Sequence, residues 1–501
     1  MKKTIFIAAL LSIFNFQFSI SSAQDALFKL LKQEWTVNTD GTSDYHYRHE
    51  VQILRNRALT AYADKGETFV VYNPDIEELT INEVYTIQKD GTRVNMPQNA
   101  FVYQLPSECA DCGRFNHLRE LAMVHTGMEL GCTIVVDYTI HRQYNLLNET
   151  LQLVRECPIE KLEVKVNVPK DMELNVSYND PKVLDINATT SQTANRYELT
   201  LINVPQTFVD NYLPPASQLY PTLHFFNGAI EFTAADDDRT AAEAKAAVSA
   251  AVSAAINIAG PNGNRDIIRA IHNFVVDNIH LNQIHPAHLG YVHATPAQVW
   301  QSGCGTTTDK AVLMAAMLEH QGFQARVIGD LNDEVAVRLD TLEYRLSVGS
   351  HDDMELIGEA KDEIVSHTVS GEKKPALTPL ADGYYRLRLP ALPGEPSVRA
   401  TKLALTRTAP LMGQACDLSC NITIPLPKGM KMVKKSIAQK LSFDGIGTVE
   451  ISIKQSGNKL KVVRNLKLDK SLIEPTQYAQ YRQLLAVWQT SDVVLIKKAT
   501  K

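Results

Sequence analysis

The chain has 501 residues, which at roughly 100–200 residues per domain suggests about three domains rather than one. Hydrophobic residues make up 45% of the chain, enough to build full cores, and this excludes a disordered or low-complexity protein. The 50 Lys and Arg against 56 Asp and Glu argue against a general nucleic-acid binder, and 7 cysteines are too few for a disulfide-dense scaffold.

Residues 1–23 are typical of a secretory signal peptide. Lys2 and Lys3 precede an apolar stretch over Thr4–Phe18, and small residues precede Gln24, so cleavage is predicted before Gln24. Polar residues cut this stretch short of the ~20 apolar residues that a transmembrane helix needs, so no transmembrane segment is expected in the mature chain. We therefore expect a chain secreted across the inner membrane of a bacterium, periplasmic or extracellular, with the periplasm as the first choice.

Residues 24–228 are predicted to form an N-terminal β-sandwich domain. Asp-Gly turn signals separate runs rich in Val, Ile, Thr and Tyr, and prolines end the later runs. The predicted strands include Tyr45–Leu54, Val84–Gln88, Cys132–Ile140 and Leu162–Val168. No catalytic constellation stands in this region.

Residues 229–395 begin with a helical pattern. An Ala-rich helix follows Asp236-Asp237-Asp238 and ends at Gly260, and a strongly amphipathic helix is predicted over Asn264–Ile279. A third helix is predicted over Thr308–His320, with Gly322 as its C-terminal stop. This region is interpreted as a separate core domain.

Strand patterns return after the third helix. Glu334–Leu339 and Leu342–Val348 predict a hairpin, whereas the polar residues 351–380 predict an exposed insertion in the core domain. Residues 396–501 predict a C-terminal β-sandwich domain that includes a helix over Thr476–Trp488 and a last strand over Asp492–Ile496. The predicted fold class is multidomain α+β.

Two cysteine pairs are candidates for local disulfides in an oxidising compartment. Cys109 and Cys112 stand in one polar loop, and Cys416 and Cys420 are assigned to another. Unpaired cysteines are the alternative. A zinc site would require distant pairs to converge, so neither a metal nor a cofactor is expected.

Several histidines surround the loop that precedes the third helix. A His-x-x-His spacing could chelate a metal on a helix, but proline and glycine make this segment a loop. These residues are interpreted as surface or loop histidines: His280, His285, His288 and His293.

The segments Gly305-Thr306-Thr307-Thr308-Asp309-Lys310-Ala311-Val312-Leu313 and Gly322-Phe323-Gln324-Ala325-Arg326-Val327 resemble the transglutaminase-like superfamily. In that family a Gly-x-Cys-x-Asp-x-Ala segment opens a helix, and a Gly-hydrophobic-x-Ala segment enters the next strand. The flanking regions resemble the β domains that bracket such cores in secreted Gram-negative bacterial proteins. The resemblance implies a cysteine-proteinase-like α+β core between two β-sandwich domains.

The resemblance also implies a catalytic triad, with a cysteine at the helix N-terminus, a histidine base and an orienting aspartate. Counting back from Asp309 and from Gly322 places the cysteine position on Thr307. The histidine position falls on Asp333 and the aspartate position on Ser347. None of these three residues is of the type that the triad requires at its position. Thr307 is better explained as a helix cap or first-turn residue.

Cys304 offers the alternative nucleophile. It stands three residues before the matched position, and it could act only if the loop brought it forward by nearly a helical turn. His351 would then serve as base and Asp352 or Asp353 as orienter. The competing interpretation is a half-buried loop thiol.

Three function hypotheses follow. The favoured one is a catalytically silent transglutaminase-like module with a binding or structural role, whose ligand is a peptide or a glycan. Trp300 and Thr307 are its binding candidates, because a pocket in this fold would form near them, although Trp300 also suits a packing role. The alternative is an active thiol hydrolase or amidase built on Cys304. A protein partner that supplies the activity is a third hypothesis.

Overall fold

A computed structural model of the chain describes residues 24–62, 67–228, 238–259, 263–329, 335–339, 344–349, 354–356 and 365–498. These residues divide into two compact units. The first unit holds the described residues of Met1–Thr207 and Tyr220–Ile357, and the second holds those of Phe208–Leu219 and Gly358–Lys501. The predicted signal peptide lies outside the described residues.

The first unit begins with a β-rich region, which confirms the sequence prediction. Its strands are β1 Ala26–Val37, β2 Ser43–Ile53, β3 Phe69–Tyr72, β4 Glu77–Ile87, β5 Arg93–Asn95, β6 Phe101–Gln104, β7 Arg119–Met123, β8 Thr133–Arg142, β9 Asn148–Gln152, β10 Ile159–Asn167, β11 Asn175–Asn179, β12 Asn187–Thr193, β13 Arg196–Val204 and β14 Thr222–Phe226. Helix α1 spans Asn56–Thr60, and α2, in the second unit, spans Ala216–Leu219.

The β-rich region packs one sheet against another. Eight strands form a sheet in the order β12-β13-β10-β1-β2-β8-β4-β5, and two three-stranded sheets have the orders β11-β14-β9 and β3-β7-β6. Side chains alternate along β1, so that Leu31 and Trp35 are buried on one face. The Trp35 ring contacts Phe225 of β14, with 5.0 Å between ring centroids.

The rest of the first unit is the helical core. Its helices are α3 Asp238–Ala259, α4 Asn264–Asn278, α5 Pro296–Ser302 and α6 Thr307–His320. Its strands are β15 His280–Leu281, β16 Cys304–Gly305, β17 Ala325–Ile328, β18 Ala336–Leu339, β19 Tyr344–Ser347 and β20 Met354–Leu356. β15 pairs with β16, and the other four form a sheet in the order β17-β18-β19-β20.

Local sequence signals account for the core elements. Gly322 follows α6 with φ of 84°, a left-handed conformation that favours glycine and ends a helix. Leu339 pairs with Tyr344 across β18 and β19, so the predicted hairpin pairing is confirmed. The predicted helices are also present, each within two residues of its expected C-terminal end.

The second unit is again β-rich, as predicted. Its strands are β21 Val365–Glu372, β22 Ala376–Pro379, β23 Tyr384–Arg388, β24 Leu411–Met412, β25 Cys416–Pro425, β26 Met430–Met432, β27 Ser436–Phe443, β28 Gly447–Ser456, β29 Lys459–Leu468, β30 Leu472–Ile473 and β31 Val493–Lys498, and its long helix is α7 Tyr478–Thr490. The sheets have the orders β21-β25-β29-β28-β27, β22-β23-β31-β26 and β24-β30.

Short 3₁₀ turns complete the described secondary structure. They span Gln98–Ala100, Ser107–Cys109, Gly113–Phe115, Pro286–Leu289, Ala381–Gly383 and Ala400–Lys402. No helix within the described ranges combines the length and the apolar character that crossing a bilayer requires.

The second half of the predicted 351–380 insertion is exposed, as expected, but it is not an insertion in the core domain. β21 pairs in parallel with β25, from Val365 opposite Cys416 to Glu372 opposite Thr423, and β22 pairs with β23. Both strands therefore belong to the sheets of the second unit. Their side chains are largely polar because they stand at sheet edges, where backbone pairing does not require an apolar pattern.

Candidate functional site

The site implied by the family resemblance is the N-terminus of α6. Gly303 ends α5 with φ of 64°, and Cys304 and Gly305 then pair with His280 and Leu281 as the short strand β16. Thr306 is the N-cap residue, since its hydroxyl accepts from the Asp309 N–H while the Asp309 carboxylate accepts from the Thr306 N–H. This reciprocal capping box starts the helix at Thr307.

Thr307 is therefore the first residue of the helix, and the cap is its neighbour. The first-turn role expected for Thr307 agrees with the structure, whereas a capping role does not, because the Thr306 side chain already satisfies the free helix N–H group. Thr307 is half-buried. The position to which the family resemblance assigns the cysteine thus holds a hydroxyl in the first turn of α6.

The other predicted triad positions are less completely described. The backbone of Ser347 lies at the end of β19, opposite Ala336. Asp333 lies outside the described residues, and so do His351, Asp352 and Asp353, which were considered as partners of Cys304.

Cys304 forms a disulfide with Cys112, which is 192 residues away, with 6.0 Å between the two Cα atoms. Both cysteines are buried, and they pack with Phe115 and Leu118 in one small hydrophobic cluster. The disulfide links the loop after β6 to the segment before α6. Cys304 is only 1% exposed, less than the half-buried loop thiol expected from sequence, and its sulfur is not a free thiol.

The predicted local disulfides are wrong. Cys109 is a buried free thiol, because Cys112 is bonded to Cys304, and burial raises the pKa of Cys109 to about 11. Cys416 and Cys420 are not in a loop but on one face of β25. Four residues of strand span ~13 Å, too far for a disulfide, so both remain free.

Asp309 is the polar centre of the site. Its carboxylate is fully buried and accepts from the Ala294 N–H at 2.7 Å and from Arg114 Nη2 at 2.6 Å, in addition to Thr306. A buried carboxylate is costly unless it is paired and hydrogen-bonded, and here it is both. Gly305 permits this arrangement, since a Cβ atom there would stand 2.7 Å from the Asp309 Cβ.

Lys310 connects α6 to α4. Its buried ammonium donates to the carbonyl of Ile279 at 2.9 Å, at the C-terminal end of α4, where a cation is favourable. Burial lowers the pKa of Lys310, and the charge of Asp277 opposes that shift. Lys310 thus ties the first turn of α6 to the C-terminal end of α4.

Two of the loop histidines pair with buried carboxylates. His288 Nδ1 lies 2.9 Å from Glu77, and His285 Nε2 lies 3.2 Å from Glu149. Arg142 forms ion pairs with both of these carboxylates. Burial alone would raise the pKa of Glu77, but the hydrogen bond and charge of His288 and the charge of Arg142 hold it below its ordinary value.

The described ranges contain no group of three or more His, Cys, Asp or Glu placed to hold a metal ion. His293 Nδ1 contacts the carbonyl of Ala294, and His280 is exposed and pairs through its backbone with Cys304. In the described part of the chain, the loop histidines therefore do not converge on a common metal site.

Trp300, a predicted binding residue, packs against the core. It is half-buried, and its ring lies 5.8 Å from the Phe274 ring, centroid to centroid. A cavity of about 290 Å³ lies beside α4 and is lined in part by Asp266, Arg269 and Asn273. Neither Trp300 nor Thr307 lines this cavity.

Sequence reasoning missed Arg114 and the partner of Cys304. The spacing from Thr306 to Asp309 is a local signal that could have identified the capping box. Arg114 and Cys112 had no such signal, because they reach the site from another domain.

Comparisons with known proteins agree with this architecture. Residues 252–357 match the family model of the transglutaminase-like superfamily. Residues 39–207 and 385–493 match two domains of unknown function with solved structures, DUF3857 and DUF3858. A search of curated proteins gives no match. The predicted resemblance is confirmed, with a transglutaminase-like core between two β-rich regions.

A crystal structure from Parabacteroides distasonis ATCC 8503, of a protein called a "putative protease", is similar to the whole chain. The TM-score is 0.70 at 23% identity, over 94% of this chain and 99% of that chain. An M1 zinc metallopeptidase from Deinococcus radiodurans gives a TM-score of 0.18 at 8% identity, over 45% of this chain and 53% of that chain, which is too low to bear on the fold. The first likeness supports the fold.

Proposed function

We propose that this chain is an exported, catalytically silent transglutaminase-like protein with a binding or structural role in the periplasm. The occupancy of the nucleophile position carries the proposal. Thr307 stands in the first turn of α6, and the family resemblance assigns the cysteine to this position. A threonine hydroxyl needs a strong base to attack an amide, and Asp333, at the histidine position, is a weak one.

The surroundings of α6 support a structural role. Its N-terminus is occupied by the capping box and by the Arg114–Asp309 ion pair, and the ion pair ties the core to the N-terminal β-rich region. The buried Cys112–Cys304 disulfide adds a covalent link between the same two parts. These groups hold a domain contact at the place where an enzyme of this family would expose a thiolate.

The competing hypothesis, a thiol hydrolase built on Cys304, requires that the disulfide open. Two variants separate the hypotheses. Cys112→Ser leaves Cys304 as a free thiol, and Cys304→Ser removes it, while both lose the same cross-link. Peptidase and amine-transfer assays on casein should detect equal, background activity for the two variants. Iodoacetamide-sensitive activity confined to Cys112→Ser would overturn catalytic silence.

The proposed ligand is a peptide or a glycan, because the chemistry that the family resemblance implies acts on amides. A decapeptide library and a glycan array, each probed with the labelled mature chain, test this class of ligand. Thr307→Arg should weaken capture by at least ~10-fold, since Thr307 is the predicted binding residue and arginine is larger and charged. Capture from neither probe, or capture unchanged in Thr307→Arg, would contradict the ligand assignment.

Export is part of the proposal and has its own test. The chain expressed in a Gram-negative host should be recovered by osmotic shock, with an N-terminus at Gln24 by intact mass. Substitution of Lys2 and Lys3 by Glu should retain the precursor in the cytoplasm. A full-length, unprocessed chain in the cytoplasm of the unmodified strain would refute export.

A further inference from the structure

The outer face of the sheet β22-β23-β31-β26, in the second unit, carries cations and apolar side chains together. Leu387 of β23 and Val494 and Ile496 of β31 point into the core. Because side chains alternate, their strand neighbours point outward. We call this outward surface the basic sheet face and define it by Arg386, Arg388, Lys431, Lys497, Val493 and Leu495.

The strand register brings these side chains side by side. Arg386 is opposite Leu495 and Arg388 is opposite Val493 across β23 and β31. Lys431 is opposite Lys497 across β26 and β31. Cations therefore lie beside the apolar pair on β23 and next to it along β31 and β26.

The basic sheet face has no negative charge of its own. The facing positions of β22 are Ala376 and Thr378, so no strand contributes a carboxylate to it. No ion pair within the described residues neutralises any of its four cations. Lys497 contacts the Tyr384 ring, with Nζ 4.9 Å from the ring centroid, and directly opposed Lys431 and Lys497 repel each other. An anionic partner would relieve this unbalanced charge.

The apolar members are exposed to solvent. Val493 and Leu495 are each 41% exposed, and Val433, hydrogen-bonded to Leu495 through its backbone, is 46% exposed. Exposed apolar side chains that form a contiguous patch mark an interaction surface. The partner must therefore accept both apolar tips and cations.

We propose that the basic sheet face docks on an anionic phospholipid surface. Arg386, Arg388, Lys431 and Lys497 would pair with lipid phosphates, while Val493 and Leu495 enter the headgroup boundary. A broad sheet surface suits a planar partner. Lys434 and Lys435, exposed just after β26, extend the positive charge, as is typical of lipid-facing polybasic segments. The inference is independent of catalytic silence.

Vesicle co-sedimentation tests the proposal with the full mature chain. The chain should bind phosphatidylcholine vesicles that contain phosphatidylglycerol and should not bind pure phosphatidylcholine vesicles. Arg386→Thr with Arg388→Thr should weaken binding by ~10-fold or more, and high salt should do the same. Threonine preserves strand propensity, and an unchanged Tm verifies that the variant folds.

A matched control removes two cations from another sheet of the same unit. Lys454 and Lys461 are exposed and opposite each other across β28 and β29, and Lys454→Thr with Lys461→Thr should leave binding unchanged. Val493→Thr with Leu495→Thr should also weaken binding without changing charge, which separates insertion from electrostatic attraction alone.

Three results would overturn the proposal. One is equal binding to vesicles with and without phosphatidylglycerol, and the second is an equal effect of the control pair. The third is binding to soluble polyanions such as heparin or polyglutamate without binding to vesicles, which would assign the face to an acidic macromolecule instead of a membrane.

Discussion

Arg114 Nη2 lies 2.6 Å from Asp309 Oδ2, and this ion pair joins two residues that are 195 positions apart. Asp309 belongs to the first turn of α6, whereas Arg114 belongs to the loop that follows β6 in the N-terminal region. The ion pair thus places a cation from the N-terminal region beside the first turn of α6 in the core. The nearby Cys112–Cys304 disulfide links the same two segments covalently.

Replacing Arg114 by Met should lower the free energy of unfolding by about 3 kcal/mol, because the fully buried Asp309 carboxylate would lose its cation. Urea denaturation measures the change. Arg57→Met is the control, since Arg57 is 83% exposed beside Asp25 and its loss should cost less than about 0.5 kcal/mol. Equal stability of the two variants would show that the ion pair contributes nothing.

Breaking the Cys112–Cys304 disulfide should destabilise the first unit by about 3–5 kcal/mol, since the bond closes a very long loop. Cys304→Ser and dithiothreitol treatment of the unmodified chain should give the same loss in urea denaturation. Non-reducing peptide mapping should find the Cys112–Cys304 peptide pair. A Cys109–Cys112 or Cys416–Cys420 pair in the oxidised chain would contradict the structure.

Acid should destabilise the N-terminal β-rich region through two buried histidines. Burial lowers the pKa of His49 to about 4 and that of His125 to about 3, whereas an unfolded histidine titrates near 6.5. Below pH 6.5 the unfolded chain binds protons that the folded imidazoles do not, so stability present above 6.5 is lost as pH falls towards the folded values. Each histidine contributes about 1.4 kcal/mol per pH unit in that window.

Denaturant titrations across this pH range provide the measurement. His49→Gln should flatten the acid-side slope, because a neutral amide takes up no proton. His141→Gln is the control, since the side chain of His141 is 42% exposed. An identical slope in the unmodified chain and His49→Gln would rule out His49 as a source of the acid sensitivity.

Gly305→Ala should destabilise the site by about 2 kcal/mol, since the added Cβ would lie 2.7 Å from the Asp309 Cβ and displace the capping carboxylate. Gly263→Ala is the matched control. No atom lies within 4 Å of a Cβ at Gly263, and its backbone is extended, so it should change stability little. Thermal unfolding compares the two, and a smaller loss for Gly305→Ala would refute the steric argument.

Much of the fold could be predicted from local patterns. The amphipathic spacing of Ile268, Ile271 and Val275 identified α4, and these residues are buried in the core as expected. The hairpin of β18 and β19 followed from alternation. The strand β21 could not be found in this way, because its polar residues pair at a sheet edge with β25, about fifty residues further along the chain.

The candidate site, too, could be predicted only in part from local sequence patterns. The spacing from Asp309 and Gly322 located Thr307, and the structure places Thr307 in the first turn of α6. The partners of the site could not be predicted. Cys304 was expected to be a half-buried loop thiol, and Cys112 was paired with Cys109 on sequence proximity alone.

The sequence by itself determined the order of β-rich, helical and β-rich regions and the place of Thr307 at the start of the third helix. Both are local properties, because side-chain periodicity and motif spacing act over a few residues. Only the tertiary structure decided that Cys112 bonds to Cys304 and that Arg114 neutralises Asp309. Each of these pairs is joined by folding across nearly two hundred residues, and such proximity leaves no signature in the local sequence.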